Sequence, residues 1–401
     1  MNRKWKSLLA LTTVSSMLFL TACGSGGDKQ AAGGSGSTKE VTIGYTGPLS
    51  GGAALYGKNA LDGIEMAAEE INNAGGIKVG KDTVKLKVVS LDDKYLPNES
   101  VTNARRLKQE NKASIIFCPH SGGILALQQI NQQENFLIGA YTSEPRVIQT
   151  NNALSVRIPP GYDNYPKPWS EEMMKRFGKK LALVPTTSQY GKDWSALMTK
   201  TWKDLGGEVV ADSAVDYNKQ SDFSAAITKA LAANPDVLFV GGPSQPTALV
   251  IKAARDQGFK GGFIVMDQAK VEEIEPVVKD VKLLEGYIGV YPASKVDSAG
   301  VKAVVAAYQK KFGADKLPTS ETLYNYGALI IFAKAMELAG KTDDAKAIRA
   351  KLDDAAKQVS KDKLPFDLLG VSQSGAFNIV PSAVTVKDGK EVEVKLPEPK
   401  Y

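Results

Sequence analysis

The residues best placed to do chemistry cluster between positions 115 and 143. Ile115, Ile116 and Phe117 form a short apolar run, Pro119-His120-Ser121-Gly122-Gly123 interrupts it, and Ile124, Leu125, Leu127 and Ile130 follow at helical spacing. A helix beginning at such a turn offers unpartnered N–H groups with partial positive charge. The glycines Gly122 and Gly123 admit a ligand close to the backbone, and Ser121 adds a hydroxyl. The chemistry this predicts is capture of a small anionic group rather than bond breaking. A second apolar run at 136–140 ends at Tyr141-Thr142-Ser143-Glu144-Pro145. If the two runs are neighbouring parallel strands, both polar turns lie at the carboxyl edge of one sheet, where open α/β folds bind ligands.

The remaining inventory excludes most reactive alternatives. The chain has one histidine, His120, and two cysteines, Cys23 and Cys118. A zinc site of the Cys/His kind needs about four such ligands, so no metal is expected. Cys118 and His120 alternate along a strand end and are read as pointing to opposite faces, Cys118 as a buried structural residue and His120 as bonding its own turn. Gly-x-Ser-x-Gly is absent, and no histidine dyad has a partner, so the chain is read as a binding protein and not an enzyme. The loop Gly47-Pro48-Leu49-Ser50-Gly51-Gly52 lacks the Gly-Lys-Ser/Thr ending of a phosphate loop, and no cofactor is expected. The formal charge of +6 falls to about +3 without Arg3, Lys4 and Lys6, too little to argue for nucleic acid.

Those three cations precede an apolar stretch at 8–20, too short to span a bilayer comfortably but suited to a signal-peptide core. Leu20-Thr21-Ala22-Cys23 follows and resembles the bacterial lipoprotein signal, in which the cysteine thiol receives a diacylglyceryl group. Residues 24–37 are mostly Gly, Ser and Ala, the composition of a flexible tether. The expectation is a signal peptide at 1–22, a lipidated Cys23 and tether through 38, and attachment to the extracytoplasmic face of a membrane.

Beyond the tether, strand-like and helix-like segments alternate. Strands are predicted at 41–46, 84–91, 115–117, 136–140 and 153–158, with helices between them marked by such stripes as Ala60, Leu61, Ile64, Ala67 and Ile71. A second series of the same kind has strands at 181–184, 208–215, 237–240, 263–266 and 283–290. Helices carrying Val301, Val304 and Tyr308, then Tyr324, Ala328 and Ile331, come next, and strand-like pieces return at 368–371 and 383–394. Two runs of strand, helix and strand argue for two α/β lobes with largely parallel sheets.

Several stretches together resemble the bacterial solute-binding proteins of the branched-chain amino acid family, the extracytoplasmic receptors of ABC importers. They are residues 43–50 with Tyr56-Gly57, the helix end Ile71-Asn72-Asn73-Ala74-Gly75-Gly76-Ile77, Gln189-Tyr190-Gly191, and Asp222-Phe223-Ser224 through Pro235-Asp236-Val237 to Gly241-Gly242. The resemblance implies the type I periplasmic binding protein fold, two Rossmann-like lobes joined by a three-segment hinge that close over a ligand. The lobes would be 39–159 with 291–364 and 160–290 with 365–401, the third crossing lying near Leu364-Pro365-Phe366. It implies Ser121 with Gly122 for the ligand carboxylate, Ala140, Thr142 and Ser143 in the next loop, Tyr56 as an aromatic wall, and Tyr190 as a cover from the second lobe.

Where amino-acid binders of the family carry a glutamate for the ligand ammonium, this chain reads Asp267-Gln268, and Pro243-Ser244 replace a tyrosine expected after Gly241-Gly242. A buried ammonium without a carboxylate is costly, so the cargo depends on which of Asp267 and Gln268 faces it. The resemblance implies a monomer that delivers a branched-chain or related amino acid to the permease subunits of an ABC importer. The alternatives are an aromatic acid, a short amide or urea as cargo, or a sensor receptor using the same pocket.

Overall fold

The computed structural model describes residues 38–394 and Leu396. The predicted signal peptide, Cys23 and most of the tether lie outside them. Fifteen strands are present among the described residues. The first sheet runs in the order β2 (Ile77–Val79), β3 (Asp82–Asp92), β1 (Thr38–Gly47), β4 (Ile115–Cys118), β5 (Leu137–Ala140) and β6 (Ser155–Arg157). It is parallel except for the β2–β3 pair. The second runs β15 (Lys390–Val394), β14 (Ala383–Lys387), β11 (Tyr287–Val290), β10 (Gly262–Val265), β9 (Val237–Gly241), β7 (Lys180–Pro185) and β8 (Glu208–Asp212), with β14 and β15 antiparallel. A short antiparallel pair, β12 (Leu368–Val371) and β13 (Phe377–Ile379), stands apart.

The apolar runs become strands because each is covered on both faces. In β4, Ile115 and Phe117 enter one core and Ile116 and Cys118 another, as the two-residue period of a strand requires. In β7 and β9 the same alternation sends Leu181, Leu183, Val237 and Phe239 one way and Ala182, Val184, Leu238 and Val240 the other. Helices Ala54–Asn73 and Ser320–Ala339 pack closely on the first sheet. A Cβ on Gly63 would lie 2.1 Å from the Thr322 carbonyl oxygen, so only glycine permits their approach.

In each lobe the strand order reverses beside the first strand. β1 lies between β3 and β4, and β7 lies between β8 and β9. The turns leaving β1, β4 and β5 and those leaving β7, β10 and β11 therefore open at crevices on carboxyl edges, where the ends of neighbouring loops diverge.

Three local expectations change. Residues 283–290 do not form one strand, because the Asp280 side chain accepts from Lys282 N, a 3₁₀ turn holds Val281–Leu284, and Gly286 reverses the chain at φ 77°. The helix expected through Ile130 ends at Leu127, where Gln129 and Ile130 N–H groups bond three residues back and Asn152 claims the Gln128 carbonyl. Finally, Leu364, Phe366, Val371, Phe377 and Ile379 all enter the first lobe's core, and the chain joins the second sheet only at Ala383. The third passage thus falls at 380–382 and not near Leu364-Pro365-Phe366, since β12 and β13 bury their apolar faces against the first lobe. The other two passages are at 158–165 and 291–292, between β6 and helix Pro166–Arg176 and after β11.

Candidate functional site

The turn after β4 is held from beneath. His120 Nδ1 accepts from Gly123 N (3.0 Å), capping helix Ser121–Leu127, which leaves Nε2 to donate to Asp93 Oδ2 at 2.9 Å. The ring stacks on Tyr95 at 4.6 Å. Asp93 is itself buried and also accepts from Ser100 Oγ and Tyr95 N. Cys118 lies beside this group: the ligating atoms of Asp93, Cys118 and His120 are all within 4.8 Å of one another. The expectation that Cys118 and His120 face apart fails, because residues two apart on an extended chain share a face. Asp93 and His120 bond to each other and to the turn, so the cluster reads as a support for the turn.

On this support Ser121 Oγ sits 2.7 Å from Thr142 Oγ1, joining the turns after β4 and β5, and Glu144 N donates to the same Thr142 oxygen. Tyr56, from the helix after β1, donates to the Pro119 carbonyl (2.7 Å) and lies 6.1 Å from the Tyr141 ring. In the second lobe, Tyr190 opens the helix after β7 and donates to Asp267 Oδ1 at 2.7 Å, while Trp194 Nε1 donates to the same oxygen at 2.8 Å. The Tyr190 oxygen also accepts from Gln268 N. Burial and the Asp267 charge push the Tyr190 phenol well up, so it stays a donor. Asp267 Oδ2 takes no hydrogen bond among the described residues.

The two lobes are closed on one another. Gly52 N and Ala53 N donate to the Asn218 carbonyl and side chain, each at 3.0 Å, and Asn218 Nδ2 reaches the Lys94 carbonyl. Arg146 pairs with Asp193 at 2.8 Å. Tyr95 exchanges hydrogen bonds with the Gln268 amide, and Lys270 pairs with Glu321. Between them lies a cavity of about 600 Å³ including its mouth. Its wall brings together Tyr56, Ser121, Thr142, Ser143, Tyr190, Asp267 and Gln268, all expected from sequence. Gly122 and Ala140 stay off it. Gly122 faces Pro97 and Gln189 at the seam, and the Ala140 carbonyl is taken by Ile158 N.

Sequence reasoning missed Tyr95, Tyr141 and Lys270, which also line the cavity. Tyr95 follows Asp92-Asp93 at φ 64°, a left-handed turn that a short acidic pair only weakly signals. Lys270 is buried, and although burial pulls its ammonium down, the carboxylates of Glu321 and Glu273 raise it above the ordinary lysine value.

Residues 40–368 match the family model described as periplasmic binding protein. The chain belongs to that family. Its members bind solutes and are not enzymes, and this one captures a small molecule between its two lobes. An amino acid binding protein of Pseudomonas aeruginosa is 28% identical over 313 residues, 77% of this chain and 81% of that protein. A Leu/Ile/Val-binding protein homolog of Brucella abortus is 26% identical over 318 residues, 78% and 83%. The crystal structure of the leucine binding protein LivK of Thermotoga maritima superimposes with a TM-score of 0.74 at 22% identity, over 90% of this chain and 99% of that one. Likeness at that identity carries the fold of this extracytoplasmic solute-binding protein.

Proposed function

We propose that the solute is an α-amino acid of the branched-chain or a related kind, handed to the permease of an ABC importer by a monomeric lipoprotein anchored through Cys23. The observation that carries the cargo is Asp267. Its carboxylate lies on the cavity wall with one oxygen fixed by Tyr190 and Trp194 and the other taking no bond from the described residues. That supports it as the partner of a ligand ammonium, while Ser121 and Thr142 from the opposite lobe suit the carboxylate. Gln268, tied to Tyr95 and to the Tyr190 oxygen, supports the closed wall. An aromatic acid without an amino group would enclose the Asp267 charge and bring its second oxygen no donor. The names of the relatives favour the same cargo.

The reading is tested by thermal stability against leucine, isoleucine and valine beside 4-methylvalerate and benzoate. A ligand at a hundred times its dissociation constant adds about 2.7 kcal/mol. Stabilisation by the deaminated acids and by none of the amino acids would refute it. Mass spectrometry of the membrane-extracted protein tests the anchor, which predicts a diacylglyceryl adduct on Cys23.

A further inference from the structure

Lys270 is a buried ammonium on the cavity wall that recognition of a zwitterion leaves unexplained. Its Nζ lies 5.9 Å from the Tyr56 ring and 6.0 Å from that of Tyr141, the first lobe's aromatic wall. It donates to the Gln268 carbonyl at 3.0 Å and to Glu321. An ammonium carries three donors, so among the described residues one is left at the cavity. Closing the lobes on a wholly aliphatic side chain would cut that donor off from water and leave it, among the described residues, only the faces of Tyr56 and Tyr141 in place of a hydrogen-bond acceptor.

The groups around it decide which acceptor fits. Glu321 already neutralises Lys270, and Asp267 adds negative charge near it. Glu272 lies on the same helix start as Glu273, with its carboxyl against Ser320. Another carboxylate would enter a surplus of acids, whereas a neutral oxygen would not. We propose that Lys270 determines specificity by donating to a neutral acceptor, an amide carbonyl or hydroxyl, on the side chain of the bound amino acid. This rests on the amino-acid reading and narrows it away from purely aliphatic cargo.

Calorimetric titration of the purified protein with two near-isosteric pairs, leucine with asparagine and methionine with glutamine, and with aspartate, tests it. The expected result is about ten-fold tighter binding of at least one amide than of its apolar counterpart, with aspartate weaker than asparagine. Because Lys270→Met alone strands Glu321, the double variant Lys270→Met with Glu321→Gln is titrated as well, and its unliganded melting curve reports folding. It should bring the amide-to-apolar ratio to about one or below. Tighter binding of leucine and methionine by the wild type overturns the proposal but leaves the amino-acid reading intact. So does equal weakening of both members of a pair in the double variant, the behaviour of a partner to the α-carboxylate or of a tie between lobes. Failure of every amino acid to bind overturns the reading itself and the proposal with it.

Discussion

Raising the pH from 5 to 8.5 should weaken the folded, ligand-free protein, and the Glu272 carboxyl should supply a measurable share of the loss. Glu272 lies in the first turn of helix Val271–Val278, its Oε1 accepts from Ser320 of the other lobe at 3.4 Å, and its Oε2 is buried with no partner among the described residues. Burial, with the Glu321 charge, pushes this carboxyl up to about 7 against the opposing effects of its own backbone N–H, Lys270 and Lys295. The folded state therefore holds the proton more tightly than the unfolded chain. The favourable contribution is complete below the unfolded value of 4.5, is lost as pH rises toward 7, and is gone above it.

The span from 4.5 to about 7 corresponds to about 3 kcal/mol at most, and water at the partly exposed stem reduces this to about 2 kcal/mol. The Glu144 carboxyl, pushed to about 7 by burial and by Asp193, and Glu273, raised by burial and Glu321, add to the same fall. Urea unfolding midpoints across the range measure it. Glu272→Gln should match the wild type near pH 5, exceed it by about 2 kcal/mol at pH 8.5, and keep the slope that the remaining groups supply. Stability that is flat or rises over this range in the wild type, or a variant that keeps the full slope, would refute the reasoning.

Three further outcomes are expected. Asp267→Asn keeps an acceptor for Tyr190 and Trp194 but removes the charge, so amino-acid affinity should fall by about 3 kcal/mol, roughly 150-fold, with the fold intact. Undiminished affinity in a titration would remove Asp267 from the ligand site. Ser121→Ala should weaken binding by about 1 kcal/mol without lowering the melting temperature, since its bond to Thr142 joins two turns already fixed by the sheet. An unchanged dissociation constant would show that Ser121 does not touch the solute. Asn218→Ala removes the side-chain closure contacts to Ala53 and Lys94, keeps the backbone bond from Gly52, and touches nothing on the cavity wall. It should raise the dissociation constant about five-fold and leave the order of ligand preference unchanged, and a changed order would argue against a role confined to closure.

What was legible in the sequence is local. The apolar runs of β4, β7 and β9 and the Gly75-Gly76 stop after helix Ala54–Asn73 follow from periodicities of 2.0 and 3.6 and from a glycine helix stop, which neighbouring residues encode by themselves. Ser121, Thr142 and Ser143 could be read because a polar turn after a buried strand of a parallel sheet has one place to go. The hinge was less legible. Residues 365–379 carry an ordinary strand pattern, and nothing within it says which lobe's core will bury Phe366 and Phe377. The pairing of Cys118 with His120 was misread by the wrong application of a correct period.

The sequence by itself determined two α/β lobes, the strand ends at which a solute would meet them, and the shortage of groups able to break a bond. Tertiary structure alone decided the chemistry of the cavity. Whether Asp267 turns inward depends on Tyr190 and Trp194, more than seventy residues away, and Lys270 is kept charged in a buried wall by Glu321 of the other lobe. Such charges are fixed by desolvation and by partners brought together only when the lobes close, and no spacing along one strand or helix encodes them.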